Sequence, residues 1–280
     1  MRFVLCLCSA LILSVQVTAQ QSTSLDSKVS DALARMSEKN LHRREAAFGD
    51  MMALINEGKK ATQEPGHADA LATFFKQHPE QADRIKLGLI ELLKADNADF
   101  QGQTTPPGTY TEDDMEHYAE VVNVVSSVND ERAIPALVGA MATGGMAQRA
   151  IFQYGDKALA PVLEQLKSSD PLAQSSALKM SFALLAERSD PAAQAQIREL
   201  ILAYVKAPSG ATRSIAVQQI GCLEDRQNFV PLLSEIAKTD PLKLSGKALD
   251  GGDGDEFYPV RYDARRVLRH IKNGETCTQP

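Results

Sequence analysis

Four carboxylates crowd a glycine-rich stretch near the end of this chain. Asp250, Asp253, Asp255 and Glu256 lie within Lys243 to Tyr258, KLSGKALDGGDGDEFY. Closely spaced oxygen ligands on a glycine-rich backbone have the composition of a calcium site. The EF-hand order of ligands, with its closing glutamate twelve positions along, is absent, so a solvated acidic loop is the favoured reading and calcium the weaker alternative. A second acidic group, Glu112-Asp113-Asp114, could also hold a cation. Its place at a helix start accounts for it through the positive end of the dipole. The five histidines, at 42, 67, 78, 117 and 270, form neither HExxH nor His-x-His. No GxSxG elbow, phosphate-binding GxxxxGK[ST] or strand-borne GxGxxG occurs. Cys222 could act as a nucleophile only in an accessible, electropositive setting. No catalytic constellation is assembled, and no cofactor is expected.

The elements that would position these groups are helices. Hydrophobic residues make up 44% and charged residues 24%, which suits a folded chain rather than a disordered one. Tryptophan is absent and aromatics are only 5%, so packing must run through small and aliphatic side chains. A net charge of −6 argues against general affinity for nucleic acid or anionic membrane, while leaving room for a local basic patch. Residues 1–19 read as a secretory signal peptide: Arg2, then an apolar stretch from Phe3 to Val17, then Val17-Thr18-Ala19 before Gln20. The apolar run falls short of the ~20 residues a membrane span requires. Cleavage after Ala19 would leave Cys222 and Cys277 in a secreted or periplasmic chain, where one disulfide becomes a candidate.

Residues 20–110 read as an irregular helical region or cap. Leu41 to Ile55 forms a helix ended by Gly58, and Arg43-Arg44 reads as a solvated face. His67 to Gln77 and Pro79 to Leu93 make a helix pair. Asp96 to Tyr110, DNADFQGQTTPPGTY, reads as a long surface loop dividing this region from residues 111–280. Beyond it, Gly155 to Arg188 forms two antiparallel helices around Asp170-Pro171, an N-cap followed by a first-turn proline. Leu159, Val162, Leu163 and Leu166 fall at i, i+3, i+4 and i+7. The next helix is apolar on nearly every side and needs cover on more than one face.

This hairpin has relatives. Ala133-Ile134-Pro135-Ala136-Leu137 matches Leu159-Ala160-Pro161-Val162-Leu163 and Phe229-Val230-Pro231-Leu232-Leu233. Partner helices follow at Met146 to Tyr154, Pro171 to Ala186, Ser209 to Leu223 and Pro259 to Ile271. Pro135, Pro161 and Pro231 sit beyond a first turn, so kinked first helices are expected; short helices each beginning at proline are the alternative. Arg213-Ser214-Ile215-Ala216 and Arg261-Tyr262-Asp263-Ala264 add an Arg-x-x-Ala pattern, with Gln174 in the arginine's place one repeat earlier. The pattern resembles HEAT repeats, convincingly over Asp130 to Lys272.

The resemblance implies an all-α fold, a right-handed α-α superhelix of armadillo type, stacked from helical hairpins. It does not imply a reaction. One HEAT-like enzyme family holds two irons with His-Glu dipeptides, and this chain has only the reversed Glu116-His117. Second helices line the inner face of such stacks, which makes Arg149, Lys179, Arg213, Arg261 and Arg265 candidates for contacting a partner. Arg213 and Arg261 are equally candidates for a structural role between repeats. Neighbouring second helices in such a stack run parallel, which would bring Cys222 and Cys277 to the same end. The expected function is a non-enzymatic exported scaffold that binds a protein or peptide. An enzyme or accessory factor, with chemistry near the 96–110 or 243–258 loop, is the alternative.

Overall fold

A computed structural model describes residues 25–57, 67–100, 110–188, 190–244 and 256–275. Among these residues the fold is all-helical, and one isolated antiparallel bridge, Leu244 with Phe257, is the only extended pairing. The chain divides into two units, Met1–Ala150 and Ile151–Pro280. No helix among the described residues is long and apolar enough to cross a membrane. Residues 1–19, read above as a signal peptide, and Cys277 lie outside the described residues.

In the first unit, α1 covers residues 25–36, α2 Leu41–Asn56, α3 His67–Gln77, α4 Pro79–Phe100, α5 Glu112–Ser127 and α6 Ile134–Ala140. Asn40 caps α2 by accepting from Arg43 N–H, and Thr111 with Asp114 forms a capping box on α5. The 22-residue α4 is the spine, packing against α3, α5 and α6. Its length corrects the expected loop: Asp96 to Phe100 is helical, and residues 101–109 lie outside the described residues. Helix α4 joins α5 and α6 in one unit, which ends at Ala150. Asp and Asn are weak helix formers, but buried partners for Asp96 and Asn97 outweigh local propensity here.

Helix α7, Gly145–Tyr154, contains the division. The second unit then runs through α8 Asp156–Gln165, α9 Pro171–Arg188, α10 Pro191–Tyr204, α11 Gly210–Ile220, α12 Val230–Thr239 and α13 Pro259–Asn273. Hairpins α8–α9, α10–α11 and α12–α13 pack internally, and the second helices pack side by side, α9 on α11 and α11 on α13. Helix α9 meets α8, α10 and α11, which supplies the multi-sided cover its apolar sequence demanded. The prolines behave in two ways. Pro161 lies inside α8, whereas Pro135 and Pro231 stand in the first turns of α6 and α12, each preceded by a 3₁₀ turn. The break before proline removes the clash that a continuous helix would suffer, so at those two sites the short-helix alternative holds.

One contact recurs at five helix-to-helix connections. A side chain in the first turn of the later helix donates to a carbonyl at the end of the earlier helix or in the turn that follows it. Arg44 Nη1 reaches Glu38 O and Lys39 O at 3.1 and 3.0 Å. Gln148 Nε2 reaches Met141 O at 3.0 Å, and Gln174 Nε2 reaches Leu166 O at 3.1 Å. Arg213 Nη1 reaches Ala207 O and Pro208 O at 2.9 and 2.8 Å, and Arg261 Nε reaches Asp240 O at 2.7 Å. Leu166 and Asp240 are the C-caps of α8 and α12, whose carbonyls have no intrahelical partner, and the other acceptors lie in the connecting turns or in the 3₁₀ turn after α6. Three residues on, Ala47, Ala177, Ala216 and Ala264 are fully buried, letting the paired helices approach closely. That geometry is the content of the Arg-x-x-Ala pattern. Gln174 fills the arginine's role with a neutral amide.

Arg213 also grips Asp240 with both arms, Nε to Oδ2 at 2.7 Å and Nη2 to Oδ1 at 3.0 Å, tying α11 to the end of α12. Burial alone would raise the Asp240 carboxyl. The Arg213 bonds and the Leu242 N–H outweigh it and hold the group below its ordinary value. The stabilisation from this depressed acid is therefore complete above the ordinary carboxylate range and fades as pH falls through the folded-state value. Arg213→Ala, which leaves Asp240 buried without its cation, is expected to cost about 3 kcal/mol in urea unfolding at pH 7. The deficit relative to wild type should shrink toward pH 3.

Candidate functional site

The chemistry-bearing side chains gather at two places, one in each unit. In the first, α2, α4 and α5 converge on Arg44. Its guanidinium is 2% exposed and meets Asp96 Oδ1 at 2.9 Å, with Asp99 as a second carboxylate partner. Burial opposes the charge on Arg44, and the bonds to Asp99 and Asp96 more than restore it. Arg44 was expected on a solvated face; it is instead the anchor of the unit. His117 on α5 faces Asp96 from the other side, Nε2 to Oδ2 at 3.3 Å, but misaligned, so both atoms are buried without a hydrogen bond. Phe48 meets the His117 ring edge-on at 5.5 Å.

An aromatic and amide layer seals the cluster. Tyr118 OH donates to Asn97 Oδ1 at 2.5 Å, and Asn97 Nδ2 donates to Ala136 O at 2.7 Å. Burial pushes the Tyr118 phenol above its ordinary range. Phe100 stacks between Tyr110 and Tyr118 at centroid distances of 4.3 and 4.4 Å. Gly139 lies against Asn97, where a Cβ would come within 2.6 Å of Nδ2, so this position needs glycine.

At the solvent edge of the cluster stand His42, Glu45 and Asp114. Asp114 is 5% exposed, and its Oδ2 accepts from Thr111 N at 2.7 Å and Thr111 Oγ1 at 2.8 Å. The Thr111 backbone bond is the main reason its carboxyl sits below the ordinary range. His42 Nδ1 lies 3.6 Å from Asp114 Oδ1 and 3.5 Å from Glu45 Oε2. These residues were not grouped from the sequence, because 69 positions separate Glu45 from Asp114. A groove beside α1 and α2, lined by Lys28, Asp31, Arg35, Asp50 and Glu57, is of mixed charge: Arg35 bonds Asp31 at 3.0 Å and Asp50 at 2.7 Å.

The second place is α13. Tyr262, Arg265, Arg269 and Lys272 recur at i, i+3, i+7 and i+10 and are all exposed, forming one basic stripe with an aromatic at its start. Arg269 and Lys272 have no ion pair among the described residues, and Arg265 spends one bond on Ala237 O at 3.2 Å. The other partner-binding candidates divide. Arg213 is committed to Asp240 and to backbone carbonyls. Arg261 bonds Asp240 O and lies 4.0 Å from the Tyr258 ring centre, so both arginines fasten hairpins. Lys179 on α9 and Arg149 on α7 are exposed.

Of the calcium candidates, Asp250, Asp253 and Asp255 lie outside the described residues. Glu256 pairs with Lys243 and accepts from Tyr258 OH at 2.8 Å. Cys222 is disulfide-bonded, and its partner lies outside the described residues. Arg226 joins Gly221 O at 3.3 Å to Glu275 O at 3.0 Å, which brings the chain after α13 to the end of α11.

Compared with protein-family models, curated proteins and solved structures, the chain matches none.

The signal for Arg44 was present in the sequence: Arg44-Glu45-Ala46-Ala47 is the same Arg-x-x-Ala pattern read in the later repeats. Replacing Arg44 by methionine keeps volume but strands Asp96, whose side chain is fully buried. The expected loss is about 3–5 kcal/mol by denaturant unfolding. An Arg43→Met control, at an exposed position, should stay within about 0.5 kcal/mol of wild type.

Proposed function

We propose that the chain is an exported, non-enzymatic helical-repeat scaffold that holds an acidic segment of a protein or peptide partner on the second helices of its C-terminal unit. The basic stripe on α13 supports this most directly. In a chain of net charge −6, Arg265, Arg269 and Lys272 project from one helix face beside the half-exposed ring of Tyr262. Arginine and tyrosine are the residue types enriched at interface centres. Lys179 on α9 extends the same charge sign to another second helix of the unit. HEAT-like stacking, with second helices on a concave side, is part of the proposal, and the recurring first-turn contact and the side-by-side packing of α9, α11 and α13 are compatible with it.

Export belongs to the same proposal. Residues 1–19 have the composition of a signal peptide, and a disulfide at Cys222 fits an oxidising compartment. We take Cys277 as its partner, since Arg226 holds Glu275, two residues earlier, beside Gly221. The enzyme alternative has no comparable support.

A fluorescent peptide rich in Glu and Asp, titrated against the mature chain, tests the scaffold. Binding should weaken markedly between low and high salt and fall roughly tenfold or more in Arg265→Glu/Arg269→Glu, with unfolding unchanged. No binding, or binding indifferent to that double charge reversal, would contradict it.

A further inference from the structure

We propose that His42, Glu45 and Asp114 form a binding site for a divalent transition-metal ion of the zinc class, with a coordination position left open to solvent. The site is in the first unit and is independent of partner binding on α13. His42 and Glu45 are three residues apart on α2, so both side chains leave the same face. Asp114 comes across from the first turn of α5. The three ligand atoms lie within 4.8 Å of one another. Ligands about 2.0–2.2 Å from a tetrahedral ion stand about 3.3–3.6 Å apart. The distances from His42 Nδ1, 3.5 Å to Glu45 Oε2 and 3.6 Å to Asp114 Oδ1, are the edges of such a tetrahedron. Glu45 is 38% exposed and free to close the third edge.

Asp114 separates this group from an ordinary surface ion pair. Its carboxylate is nearly buried, yet among the described residues no arginine or lysine pairs with it, and the imidazole of His42 faces it at 3.6 Å. Thr111 takes Oδ2 with two hydrogen bonds, fixing the plane of the carboxylate and leaving Oδ1 directed at His42. Ligating carboxylates are held in this way, one oxygen anchored by hydrogen bonds and the other presented to the ion.

Behind Asp114, one turn along α5, His117 Nε2 and Asp96 Oδ2 lie buried 3.3 Å apart, neither making a hydrogen bond. One nitrogen and two carboxylate oxygens match zinc, manganese or ferrous iron better than calcium or magnesium, which take six or more oxygens.

The test uses the full mature chain, stripped with EDTA and titrated with Zn²⁺ alone by calorimetry. One equivalent should bind. His42→Ala and Glu45→Gln, both on the outer face of α2, should each reduce affinity roughly tenfold or more while circular dichroism stays unchanged. A wild-type chain that binds no zinc overturns the site. So does binding undiminished in His42→Ala, which would assign the ion to other histidines.

Discussion

A helix that ends inside a stack leaves its last carbonyls without partners, and water cannot reach all of them once the next helix folds back. At five connections in this chain a single long polar side chain in the first turn of the later helix meets that need. Arg44, Gln148, Gln174, Arg213 and Arg261 occupy equivalent places, and each bonds the end of the helix before it or the turn that follows. The contact fixes how far the second helix slides along the first. With that register set, an alanine one turn later can be fully buried at the crossing. The core of each hairpin thus depends on a polar interaction at its rim.

The identity of that polar residue follows its surroundings. Where a buried carboxylate is at hand, the residue is arginine: Arg44 with Asp96, and Arg213 with Asp240. At Gln148 and Gln174 a neutral amide makes the contact, and Arg261, which has no carboxylate pair among the described residues, rests on the Tyr258 ring. Gln174 even reproduces the lateral link, because Thr212 Oγ1 on α11 donates to its Oε1 at 3.3 Å. The glutamine is thus a change of charge with the geometry kept.

This explains what was legible in the sequence. The second helices were readable because their apolar period, and the cap at Asp170, are local features. The Arg-x-x-Ala pattern at Arg213 and Arg261 was visible for the same reason. Arg44 was missed because a charged dipeptide looks solvated until Asp96, 52 positions away, is placed beside it. Asp96 was missed in turn because Asp, Asn and nearby glycines suggest a loop. The His42–Glu45–Asp114 group depends on two helices meeting in space, which no spacing in the sequence announces. On α13 the sequence singled out Arg261 and Arg265; the stripe through Arg269 and Lys272, and the separation of Arg261 from it, needed the structure.

Native-state hydrogen exchange of the Gln174→Ala chain, followed by mass spectrometry, tests most directly whether the first-turn side chain holds its hairpin. Protection should fall at the end of α8 and the start of α9, while α12 and α13 exchange as in wild type. Unchanged protection at the α8–α9 junction, or a uniform loss across the whole chain, would contradict it.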